Sequence, residues 1–127
     1  MTPPNFRSLM VEQNPSTEST TPQSSTPQSK SNQSTTRASV VTLGSDRLPE
    51  GDVTIQVAYS SLNYKDALAY QGHRGVVKKL PHIPGIDAAG TVIDSRSEHY
   101  RKGDQVLVTG YDLGQGHWGG WSELIRV

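Results

Sequence analysis

A chain of 127 residues with 32% hydrophobic residues and a mean hydropathy of -0.58 holds one small domain at most, and part of it carries too little apolar surface to pack. Twelve Lys and Arg balance twelve Asp and Glu with no block of either sign, which argues against a nucleic-acid arm or an acidic tail and nominates no nucleic-acid partner. The absence of cysteine excludes a disulfide framework, a thiolate nucleophile and a thiolate zinc site. The run Leu9-Met10-Val11 is far below the length of a signal core or a membrane span, so the reading is a soluble, cytoplasmic protein with no membrane partner.

Residues 1–12 contain a first strand over Phe6 to Val11. From Gln13 to Thr36 there is no aliphatic or aromatic side chain, and the near-tandem Thr21-Pro22-Gln23-Ser24-Ser25, Thr26-Pro27-Gln28-Ser29 has no apolar face to stack. Residues 13–36 are therefore expected to be a disordered insert. Ala38 to Leu43 reads as the second strand, with the insert in place of a hairpin loop. Loop-closure entropy rises only slowly with length, so a long polar excursion costs little once other contacts hold the strands.

Leu48-Pro49-Glu50-Gly51-Asp52 marks a turn into a period-two strand, with Val53, Ile55, Val57 and Tyr59 on one face and Thr54, Gln56 and Ala58 on the other. Asn63 is an N-cap for a helix over Tyr64 to Tyr70, Asp66 sits where a carboxylate favours the positive helix end, and Gly72 is a stop. Leu80 to Gly85 must be extended, because Pro81 and Pro84 each bias the preceding residue away from helix. Strands over Ile86 to Ile93, Gln105 to Thr109 and Gly120 to Val127 complete a mainly β fold with short helices. Many short strands with glycine corners suggest a small, partly open barrel over residues 37–127.

Gly114-Gln115-Gly116-His117-Trp118-Gly119 satisfies G-x-G-x-x-G, but a dinucleotide fingerprint opens a helix and has an acidic residue about twenty positions later. The residues after Gly119 read as a strand, so this is a glycine-rich loop. His73, His82, His99 and His117 have no ligand spacing and read as surface or loop histidines; no metal is expected. Taken alone, Asn63-Tyr64-Lys65-Asp66 is an ordinary capped helix, and Trp118 and Trp121 are core or rim aromatics.

Four segments in order change that assessment: Leu48-Pro49-Glu50-Gly51-Asp52-Val53, then Tyr59-Ser60-Ser61-Leu62-Asn63-Tyr64-Lys65-Asp66, then Pro84-Gly85-Ile86-Asp87-Ala88-Ala89-Gly90-Thr91-Val92, then His117-Trp118-Gly119-Gly120. Together they resemble the N-terminal part of the medium-chain dehydrogenase/reductase superfamily. Within it they are most similar to the zinc-free quinone oxidoreductases of the YhdH/YhfP type, which include NADPH-dependent acryloyl-CoA reductases. Zinc-dependent relatives carry a cysteine near the Asn-Tyr-Lys-Asp position and a Gly-His-Glu triplet after the proline. Here the triplet position reads Gly85-Ile86-Asp87, which agrees with a metal-free reductase.

The resemblance implies a GroES-like (alcohol dehydrogenase N-terminal-like) domain that stops before a Rossmann domain, with NADPH between the two in homodimeric full-length relatives. It implies hydride transfer to a small-molecule substrate, either a quinone or an α,β-unsaturated carbonyl such as acryloyl-CoA. It further implies that Tyr64 is the catalytic donor and contacts the nicotinamide, that Asn63 and Asp66 complete the cofactor side, and that Trp118, Gly119 and Gly120 line the substrate side. The isolated chain is then expected to bind NADPH weakly or not at all. Two rivals stand beside this reading: a non-catalytic GroES-like structural or interaction module, and an inactive truncated product.

Overall fold

A computed structural model describes residues 2–15 and 35–127, so most of the polar stretch expected to be disordered lies outside the described residues. Strand β1 (Asn5–Gln13) pairs antiparallel with β2 (Thr36–Gly44) in unbroken register from Asn5↔Gly44 to Gln13↔Thr36. The hairpin expected from the two apolar runs is thus present, and its ladder includes Gln13 and Thr36 themselves.

The second sheet is antiparallel, in the order β5 (Gln105–Thr109), β4 (Asp87–Ser95), β3 (Val53–Ser60), β6 (Leu124–Arg126). The two sheets do not close into a barrel. They are joined where Leu9 N–H donates to Trp121 O and Glu123 N–H to Arg7 O. The Arg7 guanidinium also donates to Glu123 Oε1 at 2.6 and 2.9 Å, and these bonds hold the Glu123 carboxyl below the usual carboxylate range. Both side chains are exposed, so the pair fixes register more than it adds stability.

Apolar burial follows the sheets. Phe6, Leu48 and Leu124 form one cluster between them, and Val53, Ile55, Ala88, Val92, Leu113 and Ile125 form a second over the four-stranded sheet. Two sequence expectations need correction here. Tyr59 does not share the buried face of Val53 and Ile55; it is 77% exposed. Val57 lies opposite Gly90 and Tyr59 opposite Ala89, so Ala58 is an extra residue and the bulge reverses the side on which Tyr59 emerges. The last strand also spans only Leu124–Arg126 rather than starting at Gly120, because Gly120 and Trp121 bond to Gly85 and Pro84 while Trp121 and Glu123 bond to Leu9 and Arg7 of β1 and tie the two sheets together.

Helix α1 (Tyr64–Tyr70) begins after Asn63 as its N-cap, as the sequence indicated. Its inner face packs Ala69 on Val76 and Val77, which roots the loop that follows.

Candidate functional site

Two polar corners of the chain, Asn63-Tyr64-Lys65-Asp66 and His117-Trp118-Gly119-Gly120, are joined through the segment around Pro84 and Gly85. Asp66, fully buried in the first turn of α1, uses Oδ1 to accept from Gly85 N at 3.1 Å and Ile86 N at 2.9 Å. Its Oδ2 accepts from Asn63 N at 2.9 Å and from Asn63 Nδ2 at 3.3 Å. One carboxylate thus fastens the helix start to the strand entrance twenty residues later. On the other side of that entrance, Gly119 N donates to Ile83 O, Gly120 N to Gly85 O and Trp121 N to Pro84 O at 2.7, 2.8 and 3.0 Å. The indole Nε1 of Trp121 reaches back to Ser61 O at 3.1 Å, and that of Trp118 donates to Pro81 O at 3.2 Å.

Asp87 is a member of this constellation that sequence reasoning passed over. Its Oδ2 accepts from Ser61 Oγ at 2.9 Å and from Asn63 Nδ2 at 3.1 Å, and its carbonyl accepts from Ser60 Oγ at 2.7 Å. The Asn63 carboxamide is therefore clamped between two carboxylates, Asp66 and Asp87. The available signal was a carboxylate at the head of the apolar run Ala88-Ala89, where a charge has no reason to stand unless something binds it.

With its neighbours so held, the Tyr64 side chain is left free: it is 81% exposed at the first position of the helix. Trp118 is half-buried and keeps part of its ring accessible. Gly119 and Gly120 are buried and their N–H groups are already spent, so they bring close backbone shape to this wall rather than hydrogen-bond donors. Gly114 to Gly119 forms turns and no helix, as expected for a loop rather than a dinucleotide fingerprint.

His82 requires a correction. Read as a surface or loop histidine, it is only 2% exposed, hydrogen-bonded through its backbone to Val11, with Nε2 at 2.9 Å from Gly114 O. A carbonyl oxygen only accepts, so Nε2 carries the hydrogen of a neutral ring. Burial lowers the His82 pKa, outweighing the opposing pull of the Gly114 carbonyl and the Asp112 carboxylate. The unfolded chain takes up a proton near the ordinary value of about 6.5, whereas the folded chain resists it. The stability that a neutral His82 contributes is therefore complete above that pH and is lost as the pH falls towards the folded value. The urea midpoint is expected to drop more between pH 7.5 and 5.5 (~2 units, across the titration) for the parent than for His82→Gln. Equal drops would contradict this account. Among the described residues, no three His, Asp or Glu side chains gather as a metal site.

Residues 49–127 match the alcohol dehydrogenase GroES-like domain. The chain is 54% identical over 92 residues to the probable acrylyl-CoA reductase AcuI of Escherichia coli (strain K12), an alignment covering 72% of this chain and 28% of that protein. The yhdH oxidoreductase of Salmonella enterica, solved in complex with NADP, superposes with a TM-score of 0.77 at 41% identity, covering 95% of this chain and 32% of that one. Bacillus subtilis protein yhfP with NAD bound gives a TM-score of 0.77 at 36% identity, covering 97% and 32%. The chain thus spans about a third of the length of these relatives. Matched over most of its length by one domain family, and sharing the fold and much of the sequence of these proteins, the chain belongs to the alcohol dehydrogenase GroES-like domain family, on the branch of AcuI, YhdH and YhfP.

Proposed function

We propose that this chain forms the substrate-side wall of an NADPH-dependent reductase that acts on a quinone or an α,β-unsaturated carbonyl such as acryloyl-CoA, in a complete protein that is cytoplasmic and homodimeric. The observation that carries the reading is the exposed Tyr64 phenol on a helix start whose backbone is immobilised by Asp66, Asn63 and Asp87. NADPH, when bound, supplies a hydride to the substrate, and negative charge develops on the carbonyl oxygen. Tyr64 is the donor to that oxygen, and it needs no reorganisation because the turn beneath it is fixed. Asn63 and Asp66 serve the cofactor side by positioning Tyr64, since their polar atoms are occupied within the protein. Trp118 shields the reacting face from water, and the Gly119-Gly120 backbone shapes the wall beside it.

The test is a chimera in which this chain replaces the segment it matches in the E. coli relative. NADPH oxidation with acryloyl-CoA and with a quinone is followed in the parent and in Tyr64→Phe. The parent chimera is expected to turn over. Loss of the hydroxyl is expected to lower kcat by about a hundredfold with KM little changed, the size of one lost donor to a developing oxyanion. An inactive parent chimera would remove the reductase reading, and a fully active Phe variant would remove the role of Tyr64.

A further inference from the structure

Each strand of the β1–β2 hairpin has one edge turned away from its neighbour, and the two edges differ. On β1 that edge is occupied: Leu9 N donates to Trp121 O, Glu123 N donates to Arg7 O, and Val11 exchanges two bonds with His82. Arg7, Leu9 and Val11 therefore direct these backbone groups away from β2. Their register partners Thr42, Val40 and Ala38 form the non-hydrogen-bonded pairs of the ladder, so they direct their own N–H and C=O groups away from β1. Among the described residues, no group of the chain meets the outward backbone of Ala38, Val40 or Thr42.

Such an edge is a template for another strand, and proteins ordinarily blunt it by making it short, bulged, charged or interrupted by proline. Strand β2 has none of these devices. It runs for nine residues in unbroken register, contains neither proline nor lysine, and has its single charge, Arg37, beside its first residue. The stretch from Ala38 to Gly44 is uncharged, and Val40 at the centre of the strand is 70% exposed. The outer strand β5 of the second sheet has only five residues.

We propose that two copies of this chain associate through their β2 edges, antiparallel about a two-fold axis at Val40. This pairing sets Val40 opposite Val40 of the second copy, and Ala38 opposite Thr42 of the second copy. These are the residues whose N–H and C=O groups face outward, so each pair is of the hydrogen-bonded kind and exchanges two bonds, about six in all. It is also the register in which the two strands overlap completely. Arg37 then stands opposite Leu43 of the second copy, and no like charges oppose one another. Leu9 pairs with Val40 inside the hairpin, so Leu9, Val40 and their two counterparts form one apolar row across a four-stranded sheet. Because the axis is a two-fold, pairing consumes both free edges and yields a closed dimer instead of a fibre. The proposal does not rest on the reductase reading, and the bonds that fix the Tyr64 corner involve no residue of β2.

The experiment is sedimentation equilibrium of the 127-residue chain over a range of concentrations, with near-UV circular dichroism to verify folding. The parent is expected to dimerise. Val40→Pro removes an outward N–H that the β1 ladder does not use, so the hairpin keeps its bonds while the edge is blocked. The dissociation constant of the dimer is expected to rise at least about tenfold. Register is read separately, because the chain has no cysteine and one introduced thiol reports on one position. Val40→Cys sets two thiols across the axis with Cα atoms about 5.5 Å apart, within reach of a disulfide, and is expected to give a covalent dimer under oxidised glutathione. Thr42→Cys holds its two thiols about 14 Å apart, four residues along and one strand across, and is expected to run as a monomer on a non-reducing gel. This cysteine pair decides the question even where proline perturbs the fold. A parent that sediments as a monomer at every concentration, undiminished dimerisation in a folded Val40→Pro, or equal cross-linking at positions 40 and 42 would each overturn the proposal. The second of these results would put the contact on another exposed apolar surface, such as that of Leu107 and Tyr111. Because NADPH oxidation by the chimera is a separate measurement, either proposal can fail while the other stands.

Discussion

Asp66→Ala is expected to lower the unfolding free energy by about 4 kcal/mol, most of the stability of a small domain. The carboxylate is fully buried and accepts from three backbone N–H groups, those of Asn63, Gly85 and Ile86, besides the Asn63 side chain. Truncation leaves those donors without an acceptor, and each buried orphan costs about 1–3 kcal/mol. Asp66→Asn keeps one acceptor oxygen but not the charge, and is expected to fall between parent and Ala. Urea unfolding checks the order. An Ala variant within about 1 kcal/mol of the parent would mean that water replaces the carboxylate and that Asp66 does not fasten the two corners.

The same residue shows how far the sequence could be read. That Asn63 caps a helix and that Asp66 stands in its first turn are rules about residues three apart, and both hold in the structure. The larger task of Asp66, reaching Gly85 and Ile86, depends on where the extended segment around Pro84 runs, and no periodicity records that. The β1–β2 hairpin was legible because two apolar runs flank a stretch with nothing to bury. The exposure of Tyr59 was not, since one inserted residue in β3 reverses a side chain without altering the alternation of residue types before it. His82 looked like a loop residue because it follows a proline in an irregular segment. Its burial comes from a backbone bridge to Val11, seventy-one positions earlier, and from the Gly114 carbonyl that meets its Nε2. The residues around Tyr64 were recognisable as a group only through family resemblance, because the bonds joining them span distant positions in the chain.

Gly85→Ala tests the crossing on which that assembly depends and is expected to cost at least about 4 kcal/mol, or to prevent folding of the chain. A Cβ at this position would lie 2.6 Å from the backbone nitrogens of both Gly120 and Trp121. Backbone cannot rotate away as a side chain does, so the two segments must separate. Three hydrogen bonds cross this junction, from Gly119 N, Gly120 N and Trp121 N, and at about 1 kcal/mol each their loss accounts for most of the effect. The φ of +111° adds a further 1–2 kcal/mol or so for a residue with a Cβ. Gly103→Ala separates the two contributions: Gly103 has a φ of +99°, but an added Cβ meets nothing within 4 Å. That variant is expected to lose only the conformational part, about 1–2 kcal/mol. If the two variants unfolded at the same urea concentration, the close approach of Gly85 to Gly120 and Trp121 would carry no energy of its own. The link between the Tyr64 corner and the Trp118 corner would then have to reside in the side-chain bonds of Asp87 and Trp121.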